Sequence, residues 1–139
     1  MDYSTFNKKT FLIAKNSTLP ELKFPIHQKI KEMYDITDDM LDNVGVTFSM
    51  IDADTGLYRI ANVPARLVIN NDRQQFPDEV RHTLVYRFSE KDSRKAGNYL
   101  GEFKVDFLDN EAGCGKITLP VNGHINIFIS DSITKTTVL

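Results

Sequence analysis

Strict alternation of side chains is the feature that most constrains the fold of this chain. In residues 97–107, GNYLGEFKVDF, every second position is glycine, aromatic or valine, and the positions between them are mostly polar. A period of two residues is typical of a β-strand with one buried face. The stretch therefore predicts a long strand whose buried face begins Gly97, Tyr99, Gly101.

The same alternation recurs along most of the chain. It predicts strands in VGVTFSM, VRHTLVYRF and HINIFIS, with shorter candidates in LYRIAN, ARLVIN and KITLP. The turn-forming sequences DADTG, NND, DNEAGCG and NG separate them. ELKFPIH is a further candidate, placed at a sheet edge because Pro25 cannot donate to a ladder. The pattern predicts an all-β fold, an antiparallel β-sandwich or a barrel of about seven or eight strands.

Short helical turns and two terminal arms complete the predicted organisation. Apolar residues, among them Ile30 and Met33, keep helical spacing across IHQKIKEMY, and Thr37 or Asp38 is suited to cap a turn through DDML. The sandwich is predicted to span residues 16–130. Residues 1–15 and 131–139 are predicted to be N-terminal and C-terminal arms.

Composition excludes several classes of protein. The length of 139 residues, with 41% hydrophobic and 26% charged residues, suits one globular domain. A net charge of −2 gives no electrostatic reason to expect nucleic acid or an anionic membrane as a partner. No apolar run approaches the roughly 20 residues of a membrane helix, and MDYSTFNKK has no apolar core of a signal peptide. The single cysteine, Cys114, excludes an internal disulfide.

The Gly-x-Tyr-x-Gly start of the long strand indicates a tyrosine corner. In immunoglobulin-like sandwiches, a tyrosine near the start of a late strand donates its hydroxyl to upstream backbone and fixes the corner between two strands. Asp92, Gly97, Tyr99 and Gly101 follow the usual order of that motif, with a longer gap after the acid. Tyr99 is either this corner or an ordinary core aromatic. Gly101 would let a bulky side chain such as Phe48 or Tyr86 approach across the sandwich.

Motifs for catalysis or metal binding are weak in this sequence. Cys114 lies in a glycine-rich turn, where a surface thiol is the simpler interpretation than a nucleophile paired with His124. His27, His82 and His124 have no metal-ligand spacing. DADTG begins like a calcium loop, but Val63 occupies the position that requires glutamate, so a hairpin turn is favoured. We therefore predict no catalytic residues, no metal and no cofactor.

An ordered set of motifs resembles a phage protein family. These motifs are DIT (35–37), VTFSM (46–50), the stretch from Tyr86 through Asp92, Gly97 and Tyr99 to EFKV (102–105), GK (115–116) and LP (119–120). Together they resemble the immunoglobulin-like N-terminal domain of tailed-phage baseplate upper proteins and related short proteins of phage necks and tails. DDMLDN is an insertion relative to that pattern, and the chain has no counterpart of the long downstream parts of baseplate upper proteins.

The resemblance implies a structural virion protein, assembled in the host cytoplasm, that is not an enzyme. Its implied partners are other virion proteins of the portal, neck, tail or baseplate, together with copies of itself in a ring; nucleic acid and membrane are not expected. The position in the particle stays open. The arms are candidate assembly elements through their apolar residues Phe11, Leu12, Ile13, Ile133, Val138 and Leu139. The alternatives are flexible termini or ordinary terminal strands of the same sandwich.

A carbohydrate-binding module for host attachment is the alternative, since sandwiches often carry sugar sites. Such sites use exposed aromatic side chains beside polar groups. The chain has no tryptophan, and only Tyr58 and Phe128 fall at positions predicted to face outward. The sequence thus offers thin support for sugar binding.

Overall fold

Strands are the main regular structure in the part of the chain that the structure describes, as the alternation predicts. The computed structural model describes residues 10–70, 81–108 and 115–131. The strands in this part of the chain are β1 (Thr10–Ala14), β2 (Leu22–Ile26), β3 (Val44–Asp52), β4 (Tyr58–Pro64), β5 (Arg66–Ile69), β6 (His82–Tyr86), β7 (Gly97–Phe107), β8 (Gly115–Leu119) and β9 (Ile125–Ser130). Each sequence stretch that we predicted as a strand overlaps one of them.

Two sheets pack as a sandwich. The six-stranded sheet has the order β1-β9-β7-β3-β4, with β8 also paired to β7, and the three-stranded sheet has the order β2-β6-β5. An immunoglobulin-like sandwich has this arrangement, with the G, F, C and C′ strands in one sheet and B, E and D in the other. One pairing departs from the prediction: β1 lies parallel to β9, so the fold is not wholly antiparallel.

The long strand β7 organises the six-stranded sheet. Along one side it pairs with β3 from Tyr99 to Phe107. Along the other side its first half pairs with β9 and its second half with β8. β8 and β9 thus run in the same direction along one side of β7, and residues 120–124 separate them. β7 reaches both ends of the sandwich.

Aromatic side chains fill the space between the sheets. Phe48 on β3 is fully buried and stacks on Tyr86 of β6 with ring centroids 4.6 Å apart. It also contacts Phe103 of β7 at 5.1 Å. A Cβ atom on Gly101 would lie 2.9 Å from the Phe48 ring and 2.8 Å from Ile127 Cδ1. Phe48 does approach Gly101 closely, but from the neighbouring strand β3 of the same sheet, with Ile127 of β9 on the other side; the approach across the sandwich that we predicted is therefore corrected.

The helical pieces are short, and one buries an unexpected residue. Helix α1 spans Gln28–Met33 and a 3₁₀ turn spans Met40–Asp42. Thr37 Oγ1 accepts a hydrogen bond from the Met40 N–H, as expected for a cap. The apolar spacing points to Ile30 and Met33, yet Met33 is 64% exposed and the buried residue of the helix is Lys31, 3% exposed.

The N-terminal boundary of the sandwich needs correction. Residues Thr10–Ala14, which we assigned to an arm ending at residue 15, form β1 and hydrogen bond to β9 of the same chain. Ile13 is 2% exposed in the core, and Phe11 packs against the core from its rim. Alternation along β1 buries these two residues and leaves Leu12 outward, 61% exposed. The C-terminal candidates Ile133, Val138 and Leu139 lie outside the described residues, as does Cys114.

Candidate interaction face

The tyrosine corner has the hydrogen bond that the sequence predicts. Tyr99 is 2% exposed, and its hydroxyl donates to the Lys95 carbonyl oxygen at 2.7 Å. Burial of the phenol raises the pKa of Tyr99. Gly97 has a φ of 151°, a conformation that favours glycine, and places its backbone beside the Tyr99 ring. Gly97 and Tyr99 together thus stabilise the turn that leads into β7.

Asp92 forms its hydrogen bond with Tyr86 rather than with Tyr99. Its carboxylate accepts hydrogen bonds from the Tyr86 hydroxyl at 2.6 Å and from the Ser89 N–H at 2.9 Å. Ser89 Oγ accepts one in return from the Asp92 N–H at 3.1 Å, which completes a capping box around one turn. Burial and then the Asp92 hydrogen bond raise the pKa of Tyr86. Our grouping of Asp92 with Tyr99 is therefore corrected, because Asp92 closes the turn against β6.

A polar cluster that the sequence did not suggest lies between α1 and β6. Lys31 Nζ is 2.7 Å from His82 Nδ1 and 3.0 Å from Asp38 Oδ1. An ammonium group has only donors, so a charged Lys31 makes His82 Nδ1 an acceptor. Burial, followed by the Lys31 charge, lowers the pKa of His82. The Lys31 hydrogen bond lowers the pKa of the Asp38 carboxyl.

This cluster is closed rather than open to a substrate. Lys31 and His82 are 3% and 2% exposed, and only Asp38 reaches solvent, with its side chain 54% exposed. The arrangement satisfies a buried lysine, which is costly to bury without partners. We interpret it as an element that fixes α1 on the sandwich.

The DADTG turn is closed by the carboxylate of its own first residue, Asp52. Asp52 Oδ1 accepts hydrogen bonds from the Asp54 N–H at 2.8 Å and the Thr55 N–H at 3.1 Å, and these bonds lower the pKa of Asp52. Gly56 follows with a φ of 73°. The segment is a hairpin turn between β3 and β4. Within residues 10–70, 81–108 and 115–131, no three His, Cys, Asp or Glu side chains converge as a metal site would require.

Three of the exposed large apolar side chains in the described residues, Leu12, Tyr58 and Phe128, lie on the outer face of the six-stranded sheet. Outward residues are those that alternate with buried ones, and the strand registers align them in rows. In one row, Leu12 on β1 is opposite Phe128 on β9. These side chains are 61% and 37% exposed. Asn98 on β7 continues the row.

The next row extends the apolar surface to the far edge. Leu100 on β7 is opposite Ile51 on β3, and Ile51 is opposite Tyr58 on β4. Leu100 and Ile51 are half-buried, whereas Tyr58 is 65% exposed. We call Leu12, Phe128, Leu100, Ile51 and Tyr58 together the apolar stripe. It crosses five strands at the end of the sheet where β7 begins.

The other half of the same face is polar. Glu102, Lys104 and Asp106 occupy successive outward positions of β7, and Lys116 of β8 is opposite Asp106. Two acidic and two basic side chains therefore share this half. Ser49, also on the outer side of β3, is covered by Asn62, whose N–H donates to Ser49 Oγ at 2.9 Å.

The sequence located part of this face. Tyr58 and Phe128, the two aromatics that we expected to face outward, lie on it, and so does Leu12, although on a strand rather than an arm. Leu100 and Ile51 were missed as surface residues. The signal was present, because both are apolar residues at positions that the alternation assigns to the outer side.

Comparisons of the chain with protein-family models, curated proteins and solved structures found no match. In the part of the chain that the structure describes, no helix combines the length and the apolar character needed to cross a membrane.

Proposed function

We propose that this chain is a structural protein of a tailed-phage virion that acts by binding other virion proteins and copies of itself. The observation that carries a protein-binding role is the apolar stripe on the outer face of the six-stranded sheet. Exposed contiguous apolar surface of this kind marks interaction sites. The assignment to a phage particle rests on the sequence motifs.

The polar groups with structural explanations support a role without catalysis. Asp92 caps a turn and holds Tyr86, and Asp52 closes a hairpin. Lys31 and His82 are buried against each other. Each of these clusters is used to hold backbone or side chains in place. Under this proposal the chain works by burying surface at interfaces.

Particle incorporation tests the proposal. Purified phage particles from cells infected with the source phage would be fractionated and probed with an antibody against this chain. We expect the chain in intact particles at a fixed number of copies. Particles that assemble fully without it, or a chain found only in the soluble fraction, would contradict a structural virion role.

Carbohydrate binding is the second candidate, favoured by one observation. Tyr58 and Phe128 are exposed on the same face of the sheet. They lie three strands apart, a separation of about 14 Å at the usual strand spacing, and the aliphatic Leu100 and Ile51 fill the space between them. Saturable binding of host glycans that is lost in both Tyr58→Ala and Phe128→Ala would favour the sugar site over assembly.

A further inference from the structure

We propose that the outer face of the six-stranded sheet docks on the same face of a second copy of this chain, with a two-fold axis relating the two. This inference deepens the assembly function proposed above by naming the surface and its occupant. It rests on that proposal only in taking assembly to include contacts between copies.

The apolar stripe supplies the centre of such a contact. The outer face of an antiparallel sheet is ordinarily polar where it meets water. Here Leu12, Phe128 and Tyr58 are 61%, 37% and 65% exposed, and Leu100 and Ile51 join them across the sheet. A two-fold axis through the stripe would set it against itself, so that each copy covers the apolar residues of the other.

Charge balance on the polar half favours an identical partner. Glu102, Lys104, Asp106 and Lys116 contribute two charges of each sign. Two copies of this surface do not repel each other, and unlike charges can meet when one copy is rotated against the other. A strongly charged partner such as nucleic acid would gain nothing from a face with no net charge.

The size of the face suits a dimer. At strand spacings of about 4.8 Å and a rise of about 3.4 Å per residue, the outer face measures roughly 20 by 30 Å. Side chains roughen that projected area of about 600 Å², so the accessible area approaches the ~800 Å² per partner of a standard interface.

Pairing through the face is favoured over pairing through the β4 edge. The ladder between β3 and β4 contains two register shifts, around Phe48/Met50 and Met50/Ile51. Asn62 on β4 has a φ of 51°, and Pro64, its last residue, lacks a donor. Bulges and proline make a poor edge for adding a strand. The face has a regular ladder between β3 and β7 at its centre.

Sedimentation velocity on the purified full chain over a range of concentrations tests the proposal. The test variants are Leu12→Glu and Tyr58→Glu, at opposite ends of the stripe. The matched control is Met33→Glu, because Met33 is 64% exposed on α1, away from the face. Urea melts of each variant verify that it folds.

We expect the parent chain and Met33→Glu to dimerise alike with rising concentration. Leu12→Glu and Tyr58→Glu should dimerise at least about 100-fold more weakly with unchanged urea midpoints, because each substitution occurs twice in a two-fold dimer. A parent chain that stays monomeric at several hundred micromolar overturns self-docking, as does undiminished dimerisation of both face variants. Neither result bears on the proposed virion role, because incorporation into particles is measured separately.

Discussion

Gly101 shows how one position without a side chain makes room for the core side chains of its two neighbouring strands. A Cβ atom there would lie 2.9 Å from the Phe48 ring, and Phe48 is fully buried. We expect Gly101→Ala to lower the free energy of unfolding by about 1–3 kcal/mol, because the core must shift to admit the methyl group. Urea denaturation measures this cost.

Gly45 provides the matched control for that measurement. It lies on the same strand as Phe48, but a Cβ atom on Gly45 would meet its nearest neighbour, Leu108 Cδ1, only at 3.9 Å. Gly45→Ala should therefore leave stability unchanged or raise it by up to about 1 kcal/mol. Equal losses at the two glycines would contradict the close approach at Gly101.

The Tyr99 hydroxyl fixes the corner that leads into β7. Removing it with Tyr99→Phe leaves the Lys95 carbonyl without its donor, and we expect a loss of about 0.5–1.5 kcal/mol. Tyr99→Ala also opens a cavity in the core and should cost about 3–5 kcal/mol. Thermal and urea unfolding would show the order. An alanine variant as stable as the parent would exclude Tyr99 as an anchor.

Of the two tyrosine contacts near this turn, the sequence predicted one correctly and the other wrongly. The contact between Tyr99 and Lys95 spans four residues, so a local motif could predict it. The partner of Asp92 is Tyr86, in the preceding strand, whereas the motif assigned Asp92 to Tyr99, on the other side of the turn. Local spacing does not say which of two flanking tyrosines faces the acid.

At the scale of the element, β1 combines a core residue and a surface residue on neighbouring positions. Ile13 is 2% exposed and Leu12 is 61% exposed. Ile13→Ala should lower the free energy of unfolding by about 2–4 kcal/mol, whereas Leu12→Ala should change it by less than about 0.5 kcal/mol. Chemical denaturation of the two variants provides the comparison. Equal, small effects would mean that β1 is not part of the folded sandwich.

The alternation of the sequence was sufficient to predict strands β2 to β9, but it predicted neither β1 nor how the strands pair. Inward and outward positions of β3, β7 and β9 follow directly from a period of two. The parallel pairing of β1 with β9 joins the two ends of the described chain, and no local pattern encodes it. The same limit led us to place Ile13 in an arm, since an apolar terminal strand and an apolar arm have the same sequence.

At the scale of the whole molecule, the Lys31–His82 contact ties together segments 51 residues apart. A lysine on a short polar helix looks like a surface residue, so nothing local predicted its burial. Its partners come from β6 and from the turn at Asp38, which exist only once the sandwich has formed. The cluster consequently links the ionisation of single groups to the stability of the whole fold.

That linkage makes the fold sensitive to acid. The pKa of His82 is lowered in the folded chain by burial and by Lys31, with Arg81 acting in the same direction and Asp38 and Asp42 opposing it. Between the folded pKa and the unfolded value of 6.5, the unfolded chain binds a proton that the folded chain does not. Stability is therefore full above pH 6.5 and falls as the pH drops below it, by at most about 1.4 kcal/mol per pH unit for this group. The lowered pKa of Asp38 adds a further loss only at lower pH, below its ordinary value of 3.8.

Urea melts from pH 7.5 to pH 5 would measure this slope in three chains. His82→Gln keeps an acceptor for Lys31 but cannot take up a proton, so its stability should change less with pH than that of the parent. His124→Gln is the control, because His124 is exposed at the end of the loop before β9 and should leave the slope intact. Protonation of His82 would place a second positive charge 2.7 Å from Lys31 Nζ, and the repulsion would weaken the contact between α1 and β6. An acid slope that persists unchanged in His82→Gln would show that other groups control it and that the buried cluster is not the sensitive element.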